Sequence, residues 1–243
     1  MNLKDKVVLV TGSGSGIGRK TSLVCAEYGA TVIALDINEE AAKLTEKMII
    51  DADGTAMAAK ADITDRVQVH TVIEDVIARF KKIDVLVNNA GSTRLGTMVD
   101  LEDSTYDFII NLNMKGPFIM STEVAKVMIP RRSGRIINIT SYCAVRGEFA
   151  NAPYCMAKAG IKMMTQVQAL ELGQYGISAV AIAPGDTNTE LLQDAFRKRA
   201  ELEGKTIEEV YAAAGKKVPM GRVGEPEDIA ELAAFIDRKS TRL

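Results

Sequence analysis

Tyr154 and Lys158 stand four residues apart in the stretch Tyr-Cys-Met-Ala-Lys, and Ser141 lies thirteen residues before the tyrosine, just past the apolar run 135–140. Residues i and i+4 of a helix share one face, so the Lys158 ammonium can sit beside the Tyr154 phenol and draw its pKa from about 10 toward neutrality. Such a pair gives and takes a proton at physiological pH. The same spacing also fits a half-buried tyrosine beside a solvated lysine, so the reading turns on what the rest of the chain sets next to it.

The N-terminal region supplies that context. Thr11-Gly-Ser-Gly-Ser-Gly-Ile-Gly follows the apolar run Val7–Val10 and opens a helical pattern. In that setting glycines let the backbone approach a pyrophosphate, and the helix N-terminus offers unpaired N–H groups and partial positive charge. Gly12, Gly16 and Gly18 carry the spacing, with Ser15 and Ile17 between them. The string is not a Walker phosphate loop, because Gly18-Arg-Lys-Thr has no Gly-Lys pair in frame, and Arg19 stands where a third glycine of G-x-G-x-x-G would fall. Eighteen residues after Gly18, Asp36 ends a second apolar run. A carboxylate there can hydrogen-bond the adenosine ribose hydroxyls and repel a 2′-phosphate. Ser13, Ser15 and Ile37 occupy places where a basic residue would be wanted for that phosphate, so the expected cofactor is NAD rather than NADP. Asp62, followed by Ile63, suits an adenine amino group, with a turn or helix cap as the alternative.

Six short β-branched runs alternate with longer helical patterns: 7–10, 31–35, 55–59, 85–88, 135–139 and 178–182. This alternation predicts βαβ crossovers and a Rossmann-like, doubly wound parallel sheet with helices on both faces, formed by a single domain over 1–236. Helix one should run from the glycine loop to Gly29, helix two should follow Asn38, and helix three should follow Asp65. Ligands of such sheets bind beyond the carboxyl ends of the strands, where Asn88 to Gly91, Ser141, Pro184 and Gly185 also fall. Residues 189–218 read as a charged helical insertion with Gly204 and Gly215 as breaks, too polar for core, and either a lid or a structural helix pair.

Composition narrows the partners. The 243 residues are 47% hydrophobic with a net charge of −2, and scattered basic residues favour neither nucleic acid nor an anionic membrane, leaving a small molecule. The N-terminal apolar run is too short for a signal peptide, and no stretch of about 20 apolar residues is present to span a bilayer. Three cysteines without Cys-x-x-Cys spacing and a single histidine, His70, support neither a disulfide framework nor a metal site, and point to a reduced, cytoplasmic setting. His70 falls opposite the stripe Val69, Val72, Ile73, Val76 and Phe80 and reads as a surface residue.

Taken together, Thr11-Gly-x-x-x-Gly-x-Gly, Asn88-Asn-Ala-Gly91, Asn113 in Asn-Met-Lys-Gly, Ser141, Tyr154-x-x-x-Lys158 and Pro184-Gly185 resemble the motifs of the short-chain dehydrogenase/reductase family, in order, over residues 6 to about 236. The resemblance implies a catalytic tetrad of Asn113, Ser141, Tyr154 and Lys158. In it, Ser141 would hydrogen-bond the substrate oxygen, Tyr154 would act as general base, Lys158 would lower the tyrosine pKa and hold the nicotinamide ribose, and Asn113 would anchor a water. It also implies cofactor contacts from Asn89, Ala90 and Gly91, and from Pro184, Gly185, Thr187 and Thr189, while Asn88 braces the sheet.

Members of the family usually continue through a further strand, whereas Asp237 to Leu243 fits neither strand nor turn and reads as an artificial tail. A homo-oligomer, dimer or tetramer, is expected all the same, through the helix that carries Tyr154. The loop after Ser141, with Arg146, Glu148 and Asn151, suits a hydroxylated substrate, and the 189–218 insertion resembles that of polyol and vicinal-diol dehydrogenases. The expected activity is NAD-dependent oxidation of a secondary alcohol. The alternatives are a 3-oxoacyl-acyl-carrier-protein reductase, for which Arg132 matches one carrier-docking position but Tyr175 stands at the other, and an NAD-binding fragment without turnover.

Overall fold

The computed structural model describes residues 2–236, so the expected tail at 237–243 lies outside the described residues. Strands β1 (Val7–Thr11), β2 (Thr31–Asp36), β3 (Thr55–Lys60), β4 (Val85–Asn88), β5 (Gly134–Ile139) and β6 (Ile177–Ile182) form one six-stranded parallel sheet in the order β3-β2-β1-β4-β5-β6. Each strand lies within a residue of its expected bounds. The chain winds outward from β1 to β3, returns to lay β4 on the other side of β1, and winds outward again. That reversal opens a crevice at the carboxyl ends of β1 and β4.

Alternation along the strands divides the core in two, since successive side chains point to opposite faces. Leu9, Ile33, Leu35, Leu86 and Ile136 face α3 (Arg66–Phe80) and α5 (Gly116–Met128). Val8, Val10, Val32, Val87 and Ile137 face α1 (Gly16–Glu27), α2 (Glu39–Asp51) and α9 (Pro226–Ile236). Local signals start the helices where expected: Asn38 accepts the Ala41 N–H at 3.2 Å, and the Asp65 carboxylate accepts those of Val67 and Gln68. His70 is exposed, between Glu74 and Glu123.

Between α4 (Asp103–Ile110) and α5 the helix widens into a single π turn, Asn111–Lys115, in which the Gly116 N–H reaches the Asn111 carbonyl. Pro117 gives the physical cause. It has no N–H for the Asn113 carbonyl four residues back, and its ring would crowd that carbonyl in a regular helix. The turn holds Asn113 fully buried, its amide donating to Ile109 O at 2.9 Å and to Ser92 O at 2.8 Å.

Two expectations for 189–218 need correction. Gly204 ends α7 (Glu190–Glu203) in the left-handed region, but Gly215 lies inside α8 (Ile207–Lys217) and breaks nothing. The segment also has a core of its own, Phe196, Ala200, Val210 and Ala214, with Phe196 edge-on to Tyr211 at 4.8 Å. Helix one likewise stops at Glu27, short of Gly29.

Under the carboxyl edge a buried amide network joins the sheet to α5 and to α6 (Ala152–Leu172). Asn88 donates to Asn138 Oδ1 and Ser121 Oγ, both at 2.8 Å, and Asn138 donates to Thr165 at 2.9 Å and Gln168 at 2.8 Å. Asn138→Ala leaves several of these groups buried and unpaired, and should lower stability by about 3 kcal/mol, read as a lower urea midpoint at fixed protein concentration.

Candidate active site

The crevice is a cavity of about 690 Å³. At its floor the glycine loop runs from β1 into α1. Gly12 has φ +66, and a Cβ there would come within 2.9 Å of Ala90 Cα; a Cβ on Gly18 would lie 2.0 Å from the Gly12 carbonyl oxygen, so only glycine allows α1 to pack under the loop. Ser15 precedes α1 without capping it through its side chain, so the first N–H groups of the helix have no serine oxygen to satisfy them. Gly12, Ser15, Gly16 and Ile17 line the cavity; Gly18 does not, and its part is structural. This cradle, which a Cβ would fill, and the uncapped helix start fit the diphosphate of a nicotinamide dinucleotide.

Arg19, read in the sequence only as a departure from a motif, secures the loop from behind. Its guanidinium donates to Gly14 O and to Thr45 Oγ1. Asp36 is held just as firmly, accepting the Gly14 N–H at 2.8 Å and the Asn38 N–H at 2.9 Å. Asp36, Ile37, Asp62 and Ile63 line one end of the cavity. Asp62 adopts the turn role, accepting from the Thr64 N–H and hydroxyl, while still forming part of the wall.

At the other end, Asn113, Ser141, Tyr154 and Lys158 line the same cavity, with Asn89, Ala90 and Gly91 between the two groups and Pro184, Gly185, Thr187 and Thr189 opposite. Ser141 lies beside the Tyr154 phenol and accepts the Cys143 N–H at 3.1 Å. A Cβ on Gly91 would lie 2.6 Å from Asn113 Oδ1 and 3.5 Å from Lys158 Nζ, so the two side chains converge on one glycine. Asn88 sits outside the cavity wall, in the amide network, and Asn89 donates to Thr11 O at 2.9 Å.

The expected tuning of Tyr154 by Lys158 is not what the structure holds. The Lys158 ammonium donates to Ile139 O at 3.0 Å and stands 5.4 Å from the Tyr154 ring centroid. Burial brings the Lys158 pKa down to about 8 and pushes that of Tyr154 above its usual value, with the nearby Ser141 hydroxyl opposing the tyrosine shift only in part. Desolvation disfavours both charged forms at once. Burial also raises the neighbouring Cys143 thiol to about 11.

Beyond Ser141 the wall is made of residues whose part local spacing did not reveal: Tyr142, Cys143, Phe149, Asp186, Phe196 and Arg199, together with Glu148 and Asn151. Burial and a 2.6 Å bond to Glu148 push the Tyr142 pKa up. Arg146 is exposed and lies outside the wall. Among the described residues, no group of three or more histidine, cysteine, aspartate or glutamate side chains is placed to hold a metal ion, and no helix is long and apolar enough to cross a membrane.

With this geometry in place, the comparisons with known proteins are direct. Residues 6–200 match the family model described as short chain dehydrogenase. A galactitol 2-dehydrogenase of Agrobacterium fabrum is 39% identical, the match covering 97% of this chain and 91% of the relative. A 3-oxoacyl-acyl-carrier-protein reductase of Thermotoga maritima is 36% identical, over 97% of this chain and 92% of the relative. The crystal structure of an NAD+-bound xylitol dehydrogenase superposes with TM-score 0.96 at 29% identity, over 99% of this chain and 95% of that one. That of an actinorhodin polyketide ketoreductase with NADPH gives 0.94 at 30%, over 99% and 93%. The chain therefore belongs to the short-chain dehydrogenase family and is an oxidoreductase of that family, an alcohol dehydrogenase/reductase.

Proposed function

We propose that the protein oxidises a secondary alcohol, as a polyol, sugar alcohol or vicinal diol, with NAD. The observation that carries the cofactor choice is the Asp36 carboxylate, fixed by two backbone N–H groups in the cavity wall, where it can accept from ribose hydroxyls and would repel a 2′-phosphate. Gly12, Ser15, Gly16 and Ile17 would hold the diphosphate, Asp62 and Ile63 would flank the adenine, and Lys158 would meet the nicotinamide ribose. The backbone amides of Thr187 and Thr189, after Pro184 and Gly185, would meet the carboxamide. When bound, the nicotinamide supplies the hydride acceptor.

In this reading Ser141 donates to the substrate oxygen and Tyr154 takes the hydroxyl proton at its phenolic oxygen. Lys158 compensates the negative charge of the Tyr154 phenolate before it accepts that proton, and Asn113, close to Lys158 beside Gly91, positions the water that then carries the proton to solvent. The geometry allows the chain to form a homo-oligomer through the exposed apolar side chains of α6, Met156, Met163 and Leu170.

A second reading, reduction of a 3-oxoacyl thioester, is favoured by the Thermotoga relative. Against it, Arg132 already donates to the Gln174 carbonyl at 2.8 Å, and Tyr175 stands where a second docking arginine would be wanted. Initial rates with NAD and NADP across sugar alcohols, vicinal diols and simple secondary alcohols separate the two: turnover with NAD supports the first, and silence there with NADPH oxidation by a 3-oxoacyl thioester supports the second.

Three outcomes are expected of the site. Tyr154→Phe should cut turnover by about 10²–10⁴-fold with NAD affinity nearly unchanged, measured by steady-state kinetics beside NAD titration. Asp36→Ala should narrow the preference for NAD over NADP by about tenfold, read from kcat/KM for each cofactor. At low pH both Tyr154 and Lys158 are protonated, and the pair loses its first proton as pH rises through the Lys158 value of about 8. Alcohol oxidation, which needs the deprotonated pair, should climb with pH over this range while ketone reduction falls; kcat/KM profiles in both directions are the check.

A further inference from the structure

The α7–α8 hairpin is joined to the body of the protein at few points, because its helices bury their apolar side chains against each other, apart from both faces of the sheet. At its start, Thr189 caps α7 by accepting the Leu192 N–H at 3.2 Å, and its methyl group lies over Gly16. Toward its end, Arg199 meets the loop after β5: one guanidinium N–H donates to Glu148 Oε1, and Nε donates to Glu203 Oε1 at 2.7 Å. Tyr142 donates its hydroxyl to Glu148 Oε2 at 2.6 Å. The Arg199 and Glu148 side chains are only 20% and 13% exposed, so their attraction is screened less than that of a surface pair. Tyr142, Glu148 and Arg199 all line the cavity.

The cation in this cluster is already compensated. Burial works against the Arg199 charge, but Glu203 and Glu148 more than offset it and its pKa stands raised; Lys205 and Arg199 in turn hold Glu203 down at about 2. Asp186 and Glu190 line the same cavity. An anionic group on a substrate beside this cluster would therefore meet a cation already shared between two carboxylates, with further carboxylates in the same wall. A hydroxyl group, by contrast, can donate to the Glu148 carboxylate and accept from the guanidinium.

We propose that Glu148 and Arg199 form a clasp that holds the α7–α8 hairpin against the loop after β5 and restricts the substrate to neutral, hydroxyl-bearing molecules. The restriction rests on the alcohol dehydrogenase reading; the clasp does not.

Two measurements test it. In hydrogen exchange of the protein without substrate, the backbone amides of 190–203 should exchange at least about fivefold faster in Glu148→Gln and in Arg199→Gln than in the wild type, and by a smaller factor in the milder Tyr142→Phe. Unchanged exchange in all three overturns the clasp. In kinetics, the wild type should prefer a sugar alcohol over the aldonic acid of the same carbon number by at least about tenfold in kcat/KM, and Glu148→Gln, which removes one of the two carboxylates paired with Arg199, should narrow that ratio by about tenfold. A wild type that oxidises both alike, or a ratio unmoved in the variant, overturns the restriction. If the wild type oxidises neither but oxidises NADPH with a 3-oxoacyl thioester, the dehydrogenase reading falls and the restriction with it, while the exchange data still decide the clasp.

Discussion

The site depends on how the ends of β1 and β4 are held together where their crossovers part. Thr11, the last residue of β1, does this with one hydroxyl. It accepts the N–H groups of Asn89 and Ala90, each at 3.0 Å, and Asn89 returns a bond from its amide to Thr11 O at 2.9 Å. Neither strand can move at this edge without breaking bonds to the other. The glycine loop leaves from one partner and the Ala90–Gly91 wall from the other, so the width of the crevice between them is set here. The β1–β4 ladder runs only from Val8↔Val85 to Val10↔Val87, so beyond it the two strand ends need contacts of their own.

Burial is the second constraint, and it opposes the chemistry it serves. The cavity that shelters Tyr154 and Lys158 from water makes each harder to charge, which is why the lysine is brought down and the tyrosine pushed up in the protein alone. A proton relay in such a setting gains from a charge that arrives with a ligand, and from groups already aimed at it. The π turn forced by Pro117 places one such group, Asn113, beside Lys158 at Gly91. A regular helix would carry the same asparagine at a different angle.

Charge also distinguishes the two ends of the cavity by means rather than by sign. Asp36 stands as a carboxylate held by backbone N–H groups alone, whereas Glu148 and Glu203 share Arg199. The first arrangement would repel a 2′-phosphate on an adenosine ribose. The second leaves hydrogen-bonding capacity without a free charge, which suits hydroxyl groups.

The sequence by itself determined the elements and which residues line the cavity wall next to the glycine loop. Strand positions followed from β-branched runs buried on both faces, and helix starts from Asn38 and Asp65, because these signals act within a few residues. The glycine loop and Asp36 were legible for the same reason, as was the shared face of Tyr154 and Lys158. Only the tertiary structure decided where the Lys158 ammonium points, that Gly18 is structural, that Arg146 is outside the wall, and that Phe196 seeds a small core in a segment whose composition reads as polar. It alone brought Arg199 to Glu148, fifty-one residues away. Desolvation and loop-to-helix pairing depend on what folds over a residue rather than on its neighbours in the chain, and no local pattern records them.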